Sequence, residues 1–129
     1  MSPLKTEIQG KVATLTLNRP AQMNTIDLGM AKALYEASLS FTEHSTVRAL
    51  IITGAGEKAF CAGGDLAAFN QHGEAVGEHL HEVTHYLHGA ISRFARMTLP
   101  VITAVNGVTA GGGLAFLGFP QLVLAADSA

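Results

Sequence analysis

The residues of this sequence that could most directly do chemistry lie in the stretch HEVTH, residues 81–85. It fits H-E-x-x-H, in which two histidines one helical turn apart bind zinc and the glutamate activates water. The extended form of this motif needs a glycine and then a third histidine at positions that hold His88 and Ile91 here. His88 is too close to His85 to serve as the separate third ligand of an open zinc site. The sequence therefore favours a solvated, histidine-rich helix edge with no metal, and a zinc hydrolase acting through His81, Glu82 and His85 is the weaker alternative.

A second candidate site lies in two glycine-rich segments, FCAGGDL at residues 60–66 and VTAGGGL at residues 108–114. Each follows a short apolar run that is typical of a buried strand, and each precedes a predicted helix start. The carboxyl ends of parallel strands meet at one edge of a sheet, where ligands bind in open α/β folds. Two backbone N–H groups that converge there on one oxygen would form an oxyanion hole. The same pattern equally fits two tight turns without a ligand, and neither segment matches a phosphate-binding motif.

The elements that must position these segments alternate along the chain. Strands are predicted at residues 4–9, 11–18, 48–53, 101–107 and 121–126, and helices at residues 27–43, 76–97 and, briefly, between the glycine triplet and Pro120. Residues 54–66 are predicted to be a loop, and residues 70–77 an irregular, mobile segment. This order indicates an α/β fold with a parallel sheet, in one domain that covers residues 1–129.

The composition excludes several classes of function. The net charge is −2 without a basic run, so nucleic acid is not an expected partner. No apolar run reaches the roughly 18 residues that a membrane span requires, so no membrane partner is expected. The first residues lack the apolar core of a secretory signal, and a single cysteine suits a reducing compartment. The sequence therefore predicts a cytoplasmic protein.

Two reactive side chains flank the first glycine segment. Asp65 could hold the loop or face solvent near a ligand, but an aspartate just before a helical turn more often caps it, and the cap at residues 66–69 is favoured. Cys61 has no base near it in the sequence, so it is interpreted as a packed core residue and not as a nucleophile.

Four segments in this order resemble the crotonase, or enoyl-CoA hydratase/isomerase, superfamily: VATLTLNRPAQMN, VRALIITGAGEKAFCAGGDL, LPVITAVNGVTAGGGL and LVLAADSA. The resemblance covers the N-terminal half of a family-length protein. It implies acyl-CoA chemistry on a crotonase-like ββα spiral, an α/β fold. It also implies an acyl-CoA thioester as the partner, with coenzyme A as part of the substrate and no separate cofactor. A homo-oligomer, trimeric or hexameric, is implied in the same way.

The resemblance assigns roles to both glycine segments. The backbone N–H groups of Gly64 and Gly112 are implied to form the oxyanion hole for the thioester carbonyl. The positions implied to line the substrate and CoA site are Met23 towards the adenine, then Ala62, Gly63, Gly64, Asp65, Leu66 and Ala67, then Gly111 and Gly112.

The chain departs from the family at the catalytic acid. Hydratases of the family carry a glutamate two residues after the glycine triplet, and Ala115 occupies that position here. Alanine cannot transfer a proton. The second family carboxylate would lie beyond Ala129, so both are missing from these residues. The resemblance is nearest to the epoxyphenylacetyl-CoA isomerase and enoyl-CoA isomerase branch, and a catalytically inactive module that binds CoA esters or assembles with partners is the alternative.

Overall fold

The computed structural model describes residues 2–42 and 46–129. Its strands are β1 (Leu4–Gln9), β2 (Val12–Leu17), β3 (Ala49–Gly54), β4 (Ala59–Cys61), β5 (Val101–Val105), β6 (Val108–Thr109) and β7 (Leu122–Ala125). Its helices are α1 (Leu28–Thr42), α2 (Leu66–Asn70), α3 (Val76–Ala95) and α4 (Ala115–Gly118). Strand and helix bounds agree with the sequence predictions to within a few residues, except that Glu43, the predicted end of α1, lies outside the described residues.

The central sheet has the strand order β1-β2-β3-β5-β7. β1 and β2 form an antiparallel hairpin through Gly10, whose φ of 60° suits glycine at a tight turn. All later pairings in this sheet are parallel. The parallel α/β arrangement predicted from the element order is therefore confirmed for four of the five strands.

The core lies between this sheet and the helices α1 and α3. The alternation in β2 buries Ala13, Leu15 and Leu17 completely and leaves Thr14 and Thr16 partly exposed, as a strand with one buried face requires. The helices contribute side chains at helical spacing to the same cluster. Their buried members are Met30, Ala31, Leu34 and Phe41 from α1 and Val83, Ala90 and Phe94 from α3.

A second, two-stranded sheet was not predicted. β4 and β6 pair in parallel, although the sequence indicated one continuous loop from residue 54 to 66. Strands of three and two residues are too short to show an alternation, and their pairing depends on contacts far apart in the chain. This small sheet carries both glycine segments at the ends of its strands.

Short helical turns follow the first glycine segment and include the second. The prediction that residues 70–77 are irregular is wrong, because α2 ends there and a 3₁₀ turn at Gly73–Ala75 leads directly into α3. A second 3₁₀ turn at Gly111–Leu114 leads into α4. Among the described residues, no helix combines the length and the apolarity needed to cross a bilayer.

Two glycines on α3, Gly77 and Gly89, differ in their surroundings. Replacing each by alanine is therefore expected to change the stability of the fold in opposite directions. A Cβ at Gly89 would lie 2.8 Å from Cε1 of Tyr35 on α1, whereas a Cβ at Gly77 would meet nothing within 4 Å. Alanine favours a helix over glycine by up to about 1 kcal/mol. We expect Gly77→Ala to raise the free energy of unfolding and Gly89→Ala to lower it, as measured by urea denaturation. Equal effects of the two substitutions would contradict the close packing of α1 on α3.

Candidate functional site

The two glycine-rich loops, residues 61–66 and 110–114, touch each other through their backbones. Gly63 has a φ of 107°, and a Cβ there would lie 3.1 Å from the carbonyl oxygen of Ala110 and 3.5 Å from the amide nitrogen of Gly112. Gly111, with a φ of 53°, faces Gly63 from the other loop. A side chain at position 63 would therefore both strain the backbone and separate the loops.

The second loop is fixed to β4. The Ala110 N–H donates a hydrogen bond to the Cys61 carbonyl at 3.1 Å. Gly113 packs directly on the Cys61 carbonyl, where a Cβ would overlap it. Glycine is therefore needed at the first position of the triplet because Gly111 has a positive φ, and at the last position because Gly113 packs on the Cys61 carbonyl. Gly112 has no such constraint, because a Cβ there would meet nothing within 4 Å.

The first loop is fixed on its other side by the segment that follows β2. The Ala62 N–H donates to the Met23 carbonyl at 3.1 Å, the Ile26 N–H donates to Gly63, and the Asp65 N–H donates to Ile26. Met23, predicted to lie near the substrate, therefore contacts this loop through its backbone, in a left-handed conformation with a φ of 55°.

The N–H groups of Gly64 and Gly112 are not used by these contacts. Within the described parts of the chain, neither donates a hydrogen bond to a protein acceptor, and both residues are exposed. An exposed N–H without a protein acceptor can donate to an external oxygen. The structure therefore brings together the two loops that the sequence singled out and leaves a free donor on each.

A charged cluster around Arg19 ties the first loop to the segment that follows β2. Its Nη2 lies 2.9 Å from Oδ2 of Asp65 and 3.4 Å from Oδ2 of Asp27. Its Nη1 donates to the Thr25 carbonyl. The side chains of Arg19 and Asp65 are only 16% and 12% exposed, so this ion pair is largely removed from solvent. No local sequence pattern predicts this cluster, because Arg19 and Asp65 come from separate segments of the chain.

Two asparagines hold the start of the first loop and were also missed. The side-chain amides of Asn24 and Asn106 both donate to the Ala59 carbonyl, at 3.0 and 3.2 Å. Asn24 is fully buried, and its Oδ1 accepts from the Arg19 N–H. A buried amide with all its partners satisfied fixes a loop firmly. An asparagine shortly after an Arg-Pro strand end, and one before a glycine, were the available sequence signals.

Asp65 caps helix α2, as predicted. Its Oδ1 accepts from the Ala68 N–H at 3.0 Å. Burial raises the pKa of this carboxyl, but the hydrogen bond from Ala68 and the hydrogen bond and charge of Arg19 outweigh it and lower the pKa below its ordinary value. Asp65 is therefore an ionised structural group engaged on both oxygens.

The remaining residues that the sequence singled out differ in their exposure to solvent. Leu66 is 72% exposed, and Ala67 and Ala115 are exposed, with Ala115 as the first residue of α4. Cys61 is completely buried in the core, and burial raises the pKa of its thiol, which confirms its interpretation as a packing residue.

The histidines of HEVTH lie elsewhere, on the surface of α3. His81, His85 and His88 are exposed, as a solvated helix edge requires. Among the described residues, no group of three His, Cys, Asp or Glu side chains is arranged to hold a metal ion. The zinc-hydrolase alternative thus lacks a third ligand in this part of the chain.

The engagement of Asp65 predicts a pH-dependent stability. Because its folded pKa is lowered, its contribution is complete above the unfolded value of about 3.9 and is lost as the pH falls through the folded value. We expect Asp65→Asn, which retains a capping side chain but not the ion pair, to lower the free energy of unfolding at pH 7 and to approach the native chain as the pH falls through the lowered folded pKa of Asp65. Asp65→Ala should cost about 1 kcal/mol more, since it also removes the cap.

Urea denaturation from pH 7 to pH 2.5 measures this difference. Asp127→Asn, at an exposed position near the end of the chain, is the matched control for loss of a carboxylate. An Asp65→Asn deficit that persists unchanged at the lowest pH would contradict the ion pair.

Comparison with known proteins places this geometry in a family. The profile of the enoyl-CoA hydratase/isomerase family matches residues 12–128. The chain is 38% identical over 109 residues to the mitochondrial 3-hydroxyisobutyryl-CoA hydrolase of Danio rerio, covering 81% of this chain and 28% of that protein. It is 36% identical over 130 residues to the 1,2-epoxyphenylacetyl-CoA isomerase of Escherichia coli, covering 100% of this chain and 49% of that one.

The structural comparison agrees. The crystal structure of an enoyl-CoA hydratase from Bacillus anthracis superimposes with a TM-score of 0.90 at 30% sequence identity, over 98% of this chain and 48% of that one. The chain thus spans about half the length, or less, of these relatives. The fold and the family implied by the sequence resemblance are confirmed, and the chain belongs to the enoyl-CoA hydratase/isomerase family.

Proposed function

We propose that this chain binds an acyl-CoA thioester and holds its carbonyl oxygen between the N–H groups of Gly64 and Gly112. The observation that carries the proposal is that Gly64 and Gly112 are exposed residues on two loops in backbone contact, and that neither N–H has an acceptor among the residues that the structure describes. Coenzyme A enters as part of the substrate, and no separate cofactor is proposed. The names of the relatives, each a CoA-thioester enzyme, support this ligand class.

The chemistry of such a site is the stabilisation of an enolate. Two fixed N–H donors strengthen their hydrogen bonds as negative charge develops on the thioester oxygen, and each is worth about 3 kcal/mol in comparable sites. The carbon next to the thioester carbonyl therefore loses its proton more easily. The donors are preorganised here because the Arg19 and Asn24 contacts fix the first loop and β4 fixes the second.

Proton transfer requires a group that these loops do not offer. Ala115 has no titratable side chain, and both oxygens of Asp65 are occupied by Arg19 and the cap of α2. We therefore expect this chain to bind and polarise a thioester without turnover. The same observation favours the second candidate function, a CoA-ester-binding or assembly module without catalysis.

For the complete protein, an isomerase-like reaction is the outcome we propose over hydration. Ala115 replaces the acid that the family resemblance assigns to hydratases. The similarity to 1,2-epoxyphenylacetyl-CoA isomerase extends over the whole of this chain. The similarity to a hydrolase and to a hydratase structure leaves the reaction to be decided by assays with each class of CoA ester.

The free space at Gly112 allows a test of the oxyanion hole that leaves the fold intact. Gly112→Ala places a methyl group beside the N–H donor without meeting another atom within 4 Å. We expect crotonyl-CoA labelled with ¹³C at the thioester carbonyl to show a lowered C=O stretching frequency when bound. Gly112→Ala should reduce that shift and weaken binding about two- to tenfold, the net worth of one neutral hydrogen bond.

Two controls separate this effect from others. Gly77→Ala adds the same methyl group in open space on α3 and should leave both the infrared shift and the affinity unchanged. Free coenzyme A should bind equally to the native chain and to Gly112→Ala, because it has no thioester carbonyl. An unshifted carbonyl band in the bound complex would refute the oxyanion hole.

Self-association is the second part of the proposal. Among the described residues, β7 is one of the two edge strands of the five-stranded sheet, and its Leu122, Val123 and Leu124 are 48%, 39% and 55% exposed. An apolar, uncharged edge strand is a surface that pairs with other chains. We propose that the chain forms homo-oligomers through this strand.

Sedimentation velocity tests this prediction. The native chain should show concentration-dependent association, and Leu124→Lys should remove it by placing a charge on the edge. Ile8→Lys, at a 47% exposed position on the opposite edge strand β1, is the matched control and should associate normally. A native chain that sediments as a monomer at all concentrations would exclude self-association.

A further inference from the structure

We propose that a groove between α1 and α3, the α1–α3 groove, is a binding site for a small soluble anion that carries two phosphate groups. The groove has a volume of about 680 Å³. Its lining residues are Tyr35, His85, His88, Gly89, Ser92, Arg93 and Arg96. None of them belongs to the glycine-rich loops, so the inference does not depend on the proposed thioester site.

The groove is basic on a chain whose net charge is negative. Two of the eight Lys and Arg residues line it, together with two histidines, and no carboxylate lines it. Other cations are already engaged, since Arg19 pairs with Asp65 and Lys32 approaches Glu82 at 4.0 Å. Within the described ranges, neither Arg93 nor Arg96 forms an ion pair. A guanidinium presents several donors in a planar fork that matches phosphate oxygens.

The walls of the groove are held in place by aromatic packing. The Arg93 guanidinium lies over the Tyr35 ring, with its carbon 5.6 Å from the ring centroid. Tyr35 in turn meets Tyr86 edge to face at 5.7 Å, and it packs so closely on Gly89 that a side chain would not fit there. Arg93 is thus partly ordered before binding and loses less conformational entropy when the ligand arrives, whereas Arg96 is an exposed side chain.

A simpler account of the basic residues explains only part of the groove. Cations near a helix C-terminus stabilise its dipole, and Arg93 lies in the last turn of α3, which Arg96 caps. This effect falls off within one turn. His85 and His88 lie further back along the helix, where the dipole gives them no such role. Their imidazoles, the Ser92 hydroxyl and the two guanidiniums extend the donor surface beyond what the dipole requires.

Titration of the ¹⁵N-labelled 129-residue chain with inorganic pyrophosphate at 0.15 M salt tests the site. We expect saturable shifts of amide resonances from residues 85–96, and weaker binding of orthophosphate, which carries less charge and fewer oxygens to share between two guanidiniums. Arg93→Gln and Arg96→Gln should each weaken pyrophosphate binding at least about tenfold. Arg96→Gln leaves the Tyr35 contact intact, so its effect is independent of packing.

The control is Arg48→Gln, which removes the same charge from an exposed position at the start of β3. It should leave the affinity unchanged. The proposal is overturned if pyrophosphate produces no saturable shift, if orthophosphate binds equally well, or if Arg48→Gln weakens binding as much as the two groove variants. These measurements do not involve a thioester. A negative result would therefore refute the anion site in the α1–α3 groove without bearing on the proposed thioester site.

Discussion

The backbones of two glycine-rich loops approach each other more closely than side chains would allow, and the arrangement of the candidate site depends on this contact. Gly63 and Gly111 both have positive φ and face each other, and Gly113 rests on the Cys61 carbonyl. The contact brings together the loops that carry the Gly64 and Gly112 N–H groups, and neither group has an acceptor in the part of the chain that the structure describes. The cost in backbone entropy of three consecutive glycines has a structural explanation at the outer two positions. No such packing constrains the central glycine, Gly112, because the space around it is open. We propose that glycine at this position keeps its N–H accessible.

Ionic and amide contacts maintain this approach from outside the loops. Arg19 links the segment after β2 to the cap of α2 through Asp65, and Asn24 and Asn106 share the Ala59 carbonyl ahead of the first loop. The ion pair is largely buried, so breaking one partner leaves the other charge poorly solvated. The cluster therefore acts less through its net stability than through the single arrangement of the loops that satisfies all its members.

The sequence predicted the parts of the fold whose signals are local. The alternation in β2, the apolar runs of β3 and β5, and the helical spacing of apolar residues in α3 are local patterns that indicated these elements, and the order of the elements indicated the parallel sheet. The β4–β6 pair and the Arg19 cluster were not predictable in this way, because each joins residues that are distant in the chain and gives no periodic pattern. The positions of Gly63 and Gly112 came from glycine spacing and family resemblance together. Their contact became visible only once both loops were placed on the small sheet.

In the function we propose, carbonyl polarisation is separate from proton transfer because of how the charges around the first loop are arranged. A carboxylate that serves as a base must keep an oxygen free and a pKa near the working pH. Asp65 meets neither condition, since Arg19 and the Ala68 N–H occupy its oxygens and lower its pKa. The contacts that fix the first loop therefore occupy its carboxylate, Asp65, which leaves that carboxylate without a role in proton transfer. A fold that uses its loop carboxylate for positioning must take its proton-transfer group from another segment. The relatives of this chain include proteins named as a hydrolase, an isomerase and a hydratase of CoA esters.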